Sequence, residues 1–224
     1  MNNEIVFIGD VHGKYNKYHK IISNYPKTIQ LGDMGVGFKR TNPSGKNEYY
    51  PNPSFDKMSK GNHRFIRGNH DNPHVCKYQK YWIQDGYVED NMMFVGGACS
   101  VDRAWRTEGY DWWSEEELTH KELWEIQTIY NEHKPEIMVT HDAPEFLVNY
   151  LIAASGRTSK ISFPSVTRQA FDGYFYNHKP KLWLFGHWHI PFDLEYKGCR
   201  FICLPELACA KVNTKTLEVE FLER

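Results

Sequence analysis

Short apolar runs that end in polar residues recur along the chain and predict buried β-strands. The five clearest are EIVFIGD (4–10), KTIQLGD (27–33), HRFIRGNHDN (63–72), EIMVTHDAP (136–144) and KLWLFGHWH (181–189). YWIQDGYVED (81–90) and NMMFVGGACS (91–100) predict two further strands, joined by a turn around Asp90 and Asn91. The tail segments FDLEYKG, CRFICLPEL and TLEVEFLE are typical of antiparallel β-structure.

Helical patterns separate these runs. Tyr18, Ile21, Ile22 and Tyr25 have helical spacing within residues 14–25. Further helices are predicted for 145–153 and 165–177, a long loop for 35–62 and an irregular segment for 102–113.

Ser114 and the three glutamates that follow it predict the start of another helix. A serine hydroxyl can cap a helix, and acidic residues in the first turn favour its positive end. This helix should run to about Glu132 and stop before Pro135.

Strands that alternate with helices predict an α/β sheet, whose working site lies beyond the carboxyl ends of the strands. The five strand ends should therefore meet at one edge and bring eight polar residues together. These are Asp10, His12, Asp33, Asn69, His70, His141, His187 and His189.

A divalent metal explains why such residues would lie together. One histidine at a strand end is more often a hydrogen-bonded structural residue, but eight polar groups without a counter-charge would be costly to bury. Carboxylate, amide and imidazole ligands suit Mn, Fe or Zn better than Ca. Because the set exceeds the needs of one ion, we expect two ions sharing a carboxylate, the usual arrangement for phosphoryl hydrolysis.

Composition narrows the class of protein. A length of 224 residues suggests a single domain, residues 1–224, with an ordinary core. The net charge of −1 gives no general attraction to long nucleic acid or to membranes. The chain shows no signal peptide, no apolar run of about 20 residues and no CxxC pair among its five cysteines. We expect a cytoplasmic protein with reduced thiols.

The motifs GDVH, GDMG, RGNHD, VTHD and FGHWH, in this order, closely resemble those of the calcineurin-like metallophosphoesterase superfamily. The resemblance implies a four-layer αββα sandwich with a dinuclear metal site at the carboxyl ends of the strands. Asp10, His12 and His189 would hold the first metal, and Asp33 would bridge both. The second metal would be held by Asn69, His141 and His187. Manganese is favoured for the two divalent ions, with iron or zinc as alternatives.

The resemblance also implies roles for three neighbouring residues. His70 would be the general acid that protonates the leaving group, while a metal-bridging hydroxide attacks phosphorus. Asp71 would orient the imidazole of His70; its alternative role is a helix N-cap before Asn72. Arg67 resembles the phosphate-clamping arginine of the Ser/Thr phosphatase and diadenosine-tetraphosphatase branch, and its alternative role is an ion pair at a strand edge.

The motifs do not agree on one branch of the superfamily. GDMGVGF departs from the GDxxDRG signature of the phosphatase branch, whereas His187 together with His189 resembles the nuclease, phosphodiesterase and small-phosphatase branches. The stretch GGACSVDRAWRTEGYDWWSEEEL resembles uncharacterised small metallophosphoesterases of bacteria and phages.

Two segments without superfamily motifs, 36–62 and 102–113, are predicted to line the pocket. The second contains arginines and aromatic residues that could hold a phosphate and stack a base, or could anchor a lid: Arg103, Trp105, Arg106, Tyr110, Trp112 and Trp113.

Together these features predict a phosphomonoesterase that acts on a phosphorylated small molecule, a nucleotide or a phosphopeptide. A phosphodiesterase or nuclease is the alternative within enzymes, although long nucleic acid is not favoured by the neutral charge. A non-catalytic scaffold with the same fold is the third interpretation, but every ligand position and His70 are present.

Overall fold

The structure, a computed structural model, describes residues 3–41, 44–49, 53, 55–156 and 164–223. Its strands are β1 Glu4–Ile8, β2 Lys27–Gln30, β3 Lys39–Thr41, β4 Asn47–Tyr49, β5 Asn62–Phe65, β6 Tyr87–Glu89, β7 Met92–Val95, β8 Ile137–Thr140, β9 Leu182–Phe185, β10 Phe192–Tyr196, β11 Cys199–Cys203, β12 Cys209–Asn213 and β13 Val219–Leu222. Its helices are α1 Tyr15–Ile22, α2 Phe55–Met58, α3 Pro73–Cys76, α4 His120–His133, α5 Val148–Ala154 and α6 Val166–Asn177. Short 3₁₀ turns span Arg103–Trp105, Ser114–Glu116 and Glu145–Leu147.

Two large sheets form the centre of the fold. The first has the order β13-β12-β1-β2-β5, and the second has the order β10-β11-β9-β8-β7-β6. In the first sheet β1, β2 and β5 are parallel, and in the second sheet β7, β8, β9 and β11 are parallel. The carboxyl ends of these parallel strands therefore lie at one edge of each sheet, where the predicted site residues follow.

Alternate residues of the central strands enter different apolar cores. In β8, Ile137 and Val139 join the core between the two sheets, whereas Met138 packs with α4 and α6 on the outer face of the second sheet. In the first sheet Phe7 faces the central core, and Ile8 faces α1. The layers are thus helix, sheet, sheet and helix, which confirms the predicted αββα sandwich.

The start of α4 differs from the prediction. Ser114–Glu116 is a 3₁₀ turn, and the helix begins at His120 after Thr119. The hydroxyl of Thr119 accepts the backbone N–H of Glu122, whose carboxylate accepts the backbone N–H of Thr119. This reciprocal capping box satisfies the first backbone donors of the helix, and Ser114 makes no such cap.

Other boundaries were also wrong. The strand predicted over 81–90 is regular only over β6. Strand β5 ends at Phe65, as expected for a run that turns polar, and the backbone N–H of Ile66 still donates to the carbonyl of Gln30. The predicted loop 35–62 contains β3, β4 and α2, while its residues 42–43, 50–52 and 54 lie outside the described residues. Strand β12, which was not predicted, pairs with β1.

The turn at Asp90 and Asn91 joins β6 and β7 as predicted. Among the described residues, the helices are all too short or too polar to cross a bilayer. The single-domain organisation stays a prediction.

Candidate metal centre

The predicted ligands lie where the central strands end. Asp10, Asp33 and Asn69 follow β1, β2 and β5 of the first sheet, and His141 and His187 follow β8 and β9 of the second. His12 and His189 come from the loops that begin at Asp10 and His187. The strand ends meet in one cluster as expected, but two sheets supply it where the alternation of strands and helices predicted one.

The first group of potential ligand atoms comes from Asp10, His12, Asp33 and His189, and these atoms all lie within 4.8 Å of one another. Nε2 of His12 is 3.0 Å from Nε2 of His189, and the latter is 2.8 Å from Oδ2 of Asp10. Oδ2 of Asp10 is buried and, within the described part of the chain, has no hydrogen-bond partner with good geometry. Imidazole nitrogens and carboxylate oxygens that converge in this way fit a cation.

The second group comes from Asp33, His141 and His187, so Asp33 belongs to both. Nε2 of His141 is 3.3 Å from Oδ1 of Asp33 and 3.2 Å from Oδ1 of Asn69. Nδ1 of His141 is 2.7 Å from the carbonyl oxygen of Leu31. If Nδ1 carries the proton and donates it to that carbonyl, Nε2 is unprotonated and its lone pair faces the cluster.

The electrostatics of the cluster also favour a cation. Burial alone would raise the pKa of Asp10 and Asp33, but the surrounding imidazoles hold both below the usual range of a carboxyl group. Burial alone would lower the pKa of His141, yet the carboxylates of Asp33 and Asp10 raise it to about 10. The site therefore stabilises positive charge, and its donor set fits divalent metals.

Backbone strain is concentrated at the same residues. Asp33 has a φ of 57°, in the left-handed region that side chains other than glycine rarely adopt, and the backbones of His12, His187 and His189 are also left-handed. The carbonyl oxygen of Asp33 accepts the backbone N–H groups of Val11 and His12, which holds this conformation. Such strain persists only where surrounding contacts over-determine it, and it is typical of functional sites.

Gly68 is required by close packing at this point. A Cβ at Gly68 would collide with Oδ1 of Asp33 and with Nε2 of His141. Only glycine therefore lets the loop after β5 pass close enough for Asn69 to face the same space.

Asp71 acts on the backbone of these loops. Its carboxylate accepts the N–H groups of Met34, Gly35, Val36 and Gly68 at 2.7–3.1 Å, which joins the loop after β2 to the loop after β5. Burial and the neighbouring Asp33 raise the pKa of Asp71 to about 6, although these backbone donors oppose the rise. Neither predicted role describes these contacts: in the described structure its carboxylate bonds to no atom of the His70 ring, and the N-cap of α3 is Asn72.

His70 lies beside the cluster but does not face it as a ligand. Its backbone N–H donates to Oδ1 of Asp33 at 2.7 Å, and its ring stacks on Phe38 with centroids 4.8 Å apart. A guanidinium nitrogen of Arg106 is 2.6 Å from Nε2 of His70; since arginine can only donate, Nε2 accepts. Burial, together with Arg106 and His12, lowers the pKa of His70 to about 4 against the opposing effect of Asp33.

Arg67 lies away from the cluster, among acidic and carbonyl groups. The side chain is only 5% exposed; its Nε donates to Asp85 at 2.7 Å, and one terminal nitrogen donates to the carbonyls of Glu115 and Glu116. These contacts match its alternative role as an ion pair and fasten the 3₁₀ turn Ser114–Glu116.

A cleft of about 320 Å³ opens over the cluster, and two arginines line it. Arg106 comes from the segment after β7 and is held by Asp102 at 2.8 Å. Arg168 comes from the first turn of α6 and is paired with Glu145 at 2.7 Å and with Asp142 at 3.4 Å. In the sequence Arg106 stands out only as a member of a mixed segment, and Arg168 was not predicted because no motif marks it.

The sequence also missed a relay that orients Asn69. Its amide nitrogen donates to the hydroxyl of Ser100 at 3.0 Å, and that hydroxyl donates to the buried carboxylate of Glu116 at 2.5 Å. With the amide nitrogen held in this way, the amide oxygen faces His141. In the sequence Glu116 has the pattern of an acid at a helix start, and its contact with Ser100 depends on the 3₁₀ turn, which the pattern did not predict.

Gln30 is another missed residue. Its side-chain amide nitrogen donates to the carbonyls of Gly32 and Gly9, and its amide oxygen accepts the N–H of Gly32 at 3.1 Å. It therefore ties together the bends that carry Asp10 and Asp33. Nothing in the sequence marks it, because Lys27 and Thr28 of the same strand are polar as well.

The two segments predicted to line the pocket meet each other. The backbone N–H of Lys39 donates to the carbonyl of Tyr110, and Phe38 contacts both His70 and Trp113. Trp113 is buried, as expected for a lid anchor, whereas Trp105 is 89% exposed. Trp113 is thus a candidate for anchoring a lid, and Trp105 is a candidate for stacking a base.

Comparison with known proteins identifies the family. A family model described as calcineurin-like phosphoesterase matches residues 4–191. A search among curated proteins finds no match to this sequence.

Solved structures show the same fold. The protein TT1561 of Thermus thermophilus has a TM-score of 0.54 and 11% sequence identity, and the comparison covers 100% of this chain and 99% of that chain. A putative 5′-nucleotidase from Staphylococcus aureus in complex with alpha-ketoglutarate has a TM-score of 0.52 and 13% identity, over 98% of this chain and 53% of that one. At these identities the likeness shows the fold alone.

The shared position of Asp33 predicts different metal losses for two substitutions. Asp33→Asn should weaken binding of both ions by at least roughly tenfold, because it removes the negative charge common to both groups. His12→Ala should weaken mainly one ion. Calorimetric metal titration and metal analysis of the purified variants measure this, and an Asp33→Asn protein that keeps two tightly bound ions would contradict the bridge.

The relay to Asn69 predicts a loss confined to one ion. Glu116→Gln places an amide group against the Ser100 hydroxyl, and supporting contacts of this kind typically change metal affinity by about 10–100-fold. Glu115→Gln, which removes the same charge from the preceding residue at an exposed position, is the matched control. Equal metal affinities for the two variants would show that the relay does not orient Asn69.

Proposed function

Because the chain belongs to the calcineurin-like phosphoesterase family and is therefore a phosphoesterase, we propose that it is a phosphomonoesterase with two divalent metal ions. The observation that carries this proposal is the shared carboxylate: Asp33 lies in both groups of potential ligands. Two ions with a common ligand are the usual arrangement for phosphoryl transfer to water.

We propose a set of ligands for each ion. Asp10, His12 and His189 would hold the first, Asn69, His141 and His187 would hold the second, and Asp33 would bridge them. Manganese is the metal we favour, with iron or zinc as alternatives, since the donors are oxygen and imidazole without thiolate. When bound, the ions would supply Lewis-acid charge stabilisation and an activated water.

Arg106 is the residue that we propose to bind the substrate phosphate. It lines the cleft beside the cluster, and its guanidinium fork can donate to two phosphate oxygens in parallel. Arg168, which is paired with Glu145 and Asp142, also lines this cleft. Two arginines and two metal ions suit a dianionic monoester, whose charge is spread over three oxygens.

We propose that His70 protonates the leaving group. Its ring lies next to His12, with centroids 4.9 Å apart, at the mouth of the same cleft. Nε2 now accepts from Arg106, so this nitrogen can carry a proton for the leaving group only after Arg106 has turned away. A substrate phosphate that binds the guanidinium of Arg106 would draw it away from Nε2 of His70. Phosphate binding would thereby allow His70 to carry and donate a proton.

Arg67 and Asp71 receive roles that differ from those implied by the resemblance. Asp71 positions Asp33 and Asn69 through backbone N–H groups, and Arg67 positions Glu116 through its carbonyl. The phosphate clamp at Arg67 stays a prediction, and its contacts with Asp85 and the turn do not favour it.

A phosphodiesterase is the second candidate, and one observation favours it. Trp105, almost fully exposed, lies in the turn between Asp102 and Arg106, both of which line the cleft. An exposed indole at that place could stack the base of a nucleotide diester. The substrates proposed are accordingly a phosphorylated small molecule, a nucleotide or a phosphopeptide.

The role of His70 predicts a loss of turnover without a loss of metal. His70→Ala should leave metal content unchanged and lower kcat by roughly 10²–10⁴, the usual contribution of general acid catalysis. The loss should shrink for esters of acidic phenols, whose leaving groups need no protonation. Metal analysis beside steady-state kinetics tests this, and loss of metal would show that His70 is a ligand.

The role of Arg106 predicts a difference between monoesters and diesters. Arg106→Ala should lower kcat/KM for a phosphomonoester by about 10–10³, or roughly 1.4–4 kcal/mol of transition-state binding, and lower diester hydrolysis much less. Arg106→Lys should restore only part of the loss, because an ammonium cannot bind two oxygens in parallel.

Two further variants complete this experiment. Arg103→Ala removes the same charge from the same turn and should have little effect. If Arg67→Ala lowers monoester hydrolysis in a folded protein and Arg106→Ala does not, the clamp is Arg67. A native enzyme that prefers diesters, with Arg106→Ala affecting both activities alike, would establish the second candidate instead.

A further inference from the structure

A second cavity lies at the opposite edge of the first sheet from the metal cluster. It has a volume of about 570 Å³ and is bordered by α1, by the end of α2 and by the start of β5. The amino ends of β2 and β5 lie side by side here, since Lys27 pairs with Asn62, whereas the cluster follows their carboxyl ends. A molecule bound in this cavity would therefore be out of reach of the metal ligands.

The walls of this cavity are positively charged. Lys20, Lys57 and Lys60 line it with exposed side chains, and within the part of the chain that the structure describes they form no ion pair. No carboxylate is among the described residues that line it. For a chain whose total charge is −1, three ammonium groups around one cavity are a marked local excess.

Two buried histidines complete the cavity. His63 is 2% exposed, and its Nδ1 is 3.1 Å from the hydroxyl of Thr28 on the neighbouring strand. His19, on α1, is also buried, and burial together with the ammonium of Lys57 lowers its pKa. Neutral imidazoles can donate or accept hydrogen bonds. The cavity therefore offers two buried hydrogen-bonding rings in addition to the exposed lysine side chains.

We propose that this cavity binds a small anion with several phosphate charges. Ammonium groups on separate elements can each contact a different phosphate oxygen, and a ligand with two or more charges offsets their mutual repulsion. The volume accommodates a pyrophosphate group with or without a nucleoside. The ligand would be an effector or a regulatory product, because the catalytic cleft is at the other edge.

Calorimetric titration of the full-length, metal-loaded protein with imidodiphosphate, a pyrophosphate analogue that resists hydrolysis, tests this proposal. Binding should persist in Arg106→Ala, which impairs the cleft, and should weaken by roughly tenfold or more in the double variant Lys57→Gln/Lys60→Gln. The double variant Lys179→Gln/Lys215→Gln removes the same charge at exposed positions elsewhere and should bind like the native protein. Metal content is checked after each titration.

The proposal is overturned if Lys57→Gln/Lys60→Gln binds imidodiphosphate normally, if the control double variant loses binding equally, or if Arg106→Ala abolishes all binding. A parallel titration with the β,γ-imido analogue of ATP identifies the source of the phosphate. Tighter binding of this analogue indicates a nucleotide, whereas equal or weaker binding indicates inorganic polyphosphate.

Discussion

The structure depends on burying carboxylates and imidazoles side by side at one place. Within the described fold, no set of cationic side chains fully neutralises the negative charge of these carboxylates. Asp10 and Asp33 are buried, and imidazole nitrogens converge on them from both sheets. Burying such groups is costly unless a cation is shared among them. Several features keep that arrangement fixed. They are the left-handed backbone at the candidate ligands, the glycine at position 68, and the hydrogen bonds that Gln30 and Asp71 make with the neighbouring backbone.

The clustering of the candidate ligands could be predicted because strand ends are local features of sequence. An apolar run followed by Gly-Asp or Gly-His predicts both where a parallel strand ends and which side chains appear there. The assignment of each ligand from the motifs stays a prediction. The αββα layers were implied by the resemblance to the superfamily, because a fully buried apolar strand such as β8 does not itself show which residue faces which layer.

The surroundings of the ligands could not be predicted in the same way. Glu116, Ser100 and Gln30 act through contacts between segments far apart in sequence, and their spacing carries no signal. Arg67 and Asp71 show the converse limit: their motif is local, but the direction of a side chain depends on partners such as Asp85 and the backbone of residues 34–36. Ser114 satisfied the pattern for a helix start, yet Arg67 and Ser100 hold the following residues in a turn, and Thr119 has the better cap.

The two sheets contribute to every proposed metal position, and this has a mechanical consequence. Asp10 and His12 come from the first sheet and His189 from the second, while Asn69 comes from the first and His141 and His187 from the second. An ion held by such a set would cross-link the two sheets, because sliding one sheet over the other would stretch the bonds between the ion and its ligands. Ion occupancy would then couple the opening of the sheets into one cooperative event, and slow hydrogen exchange in strands far from the centre would report on the ions.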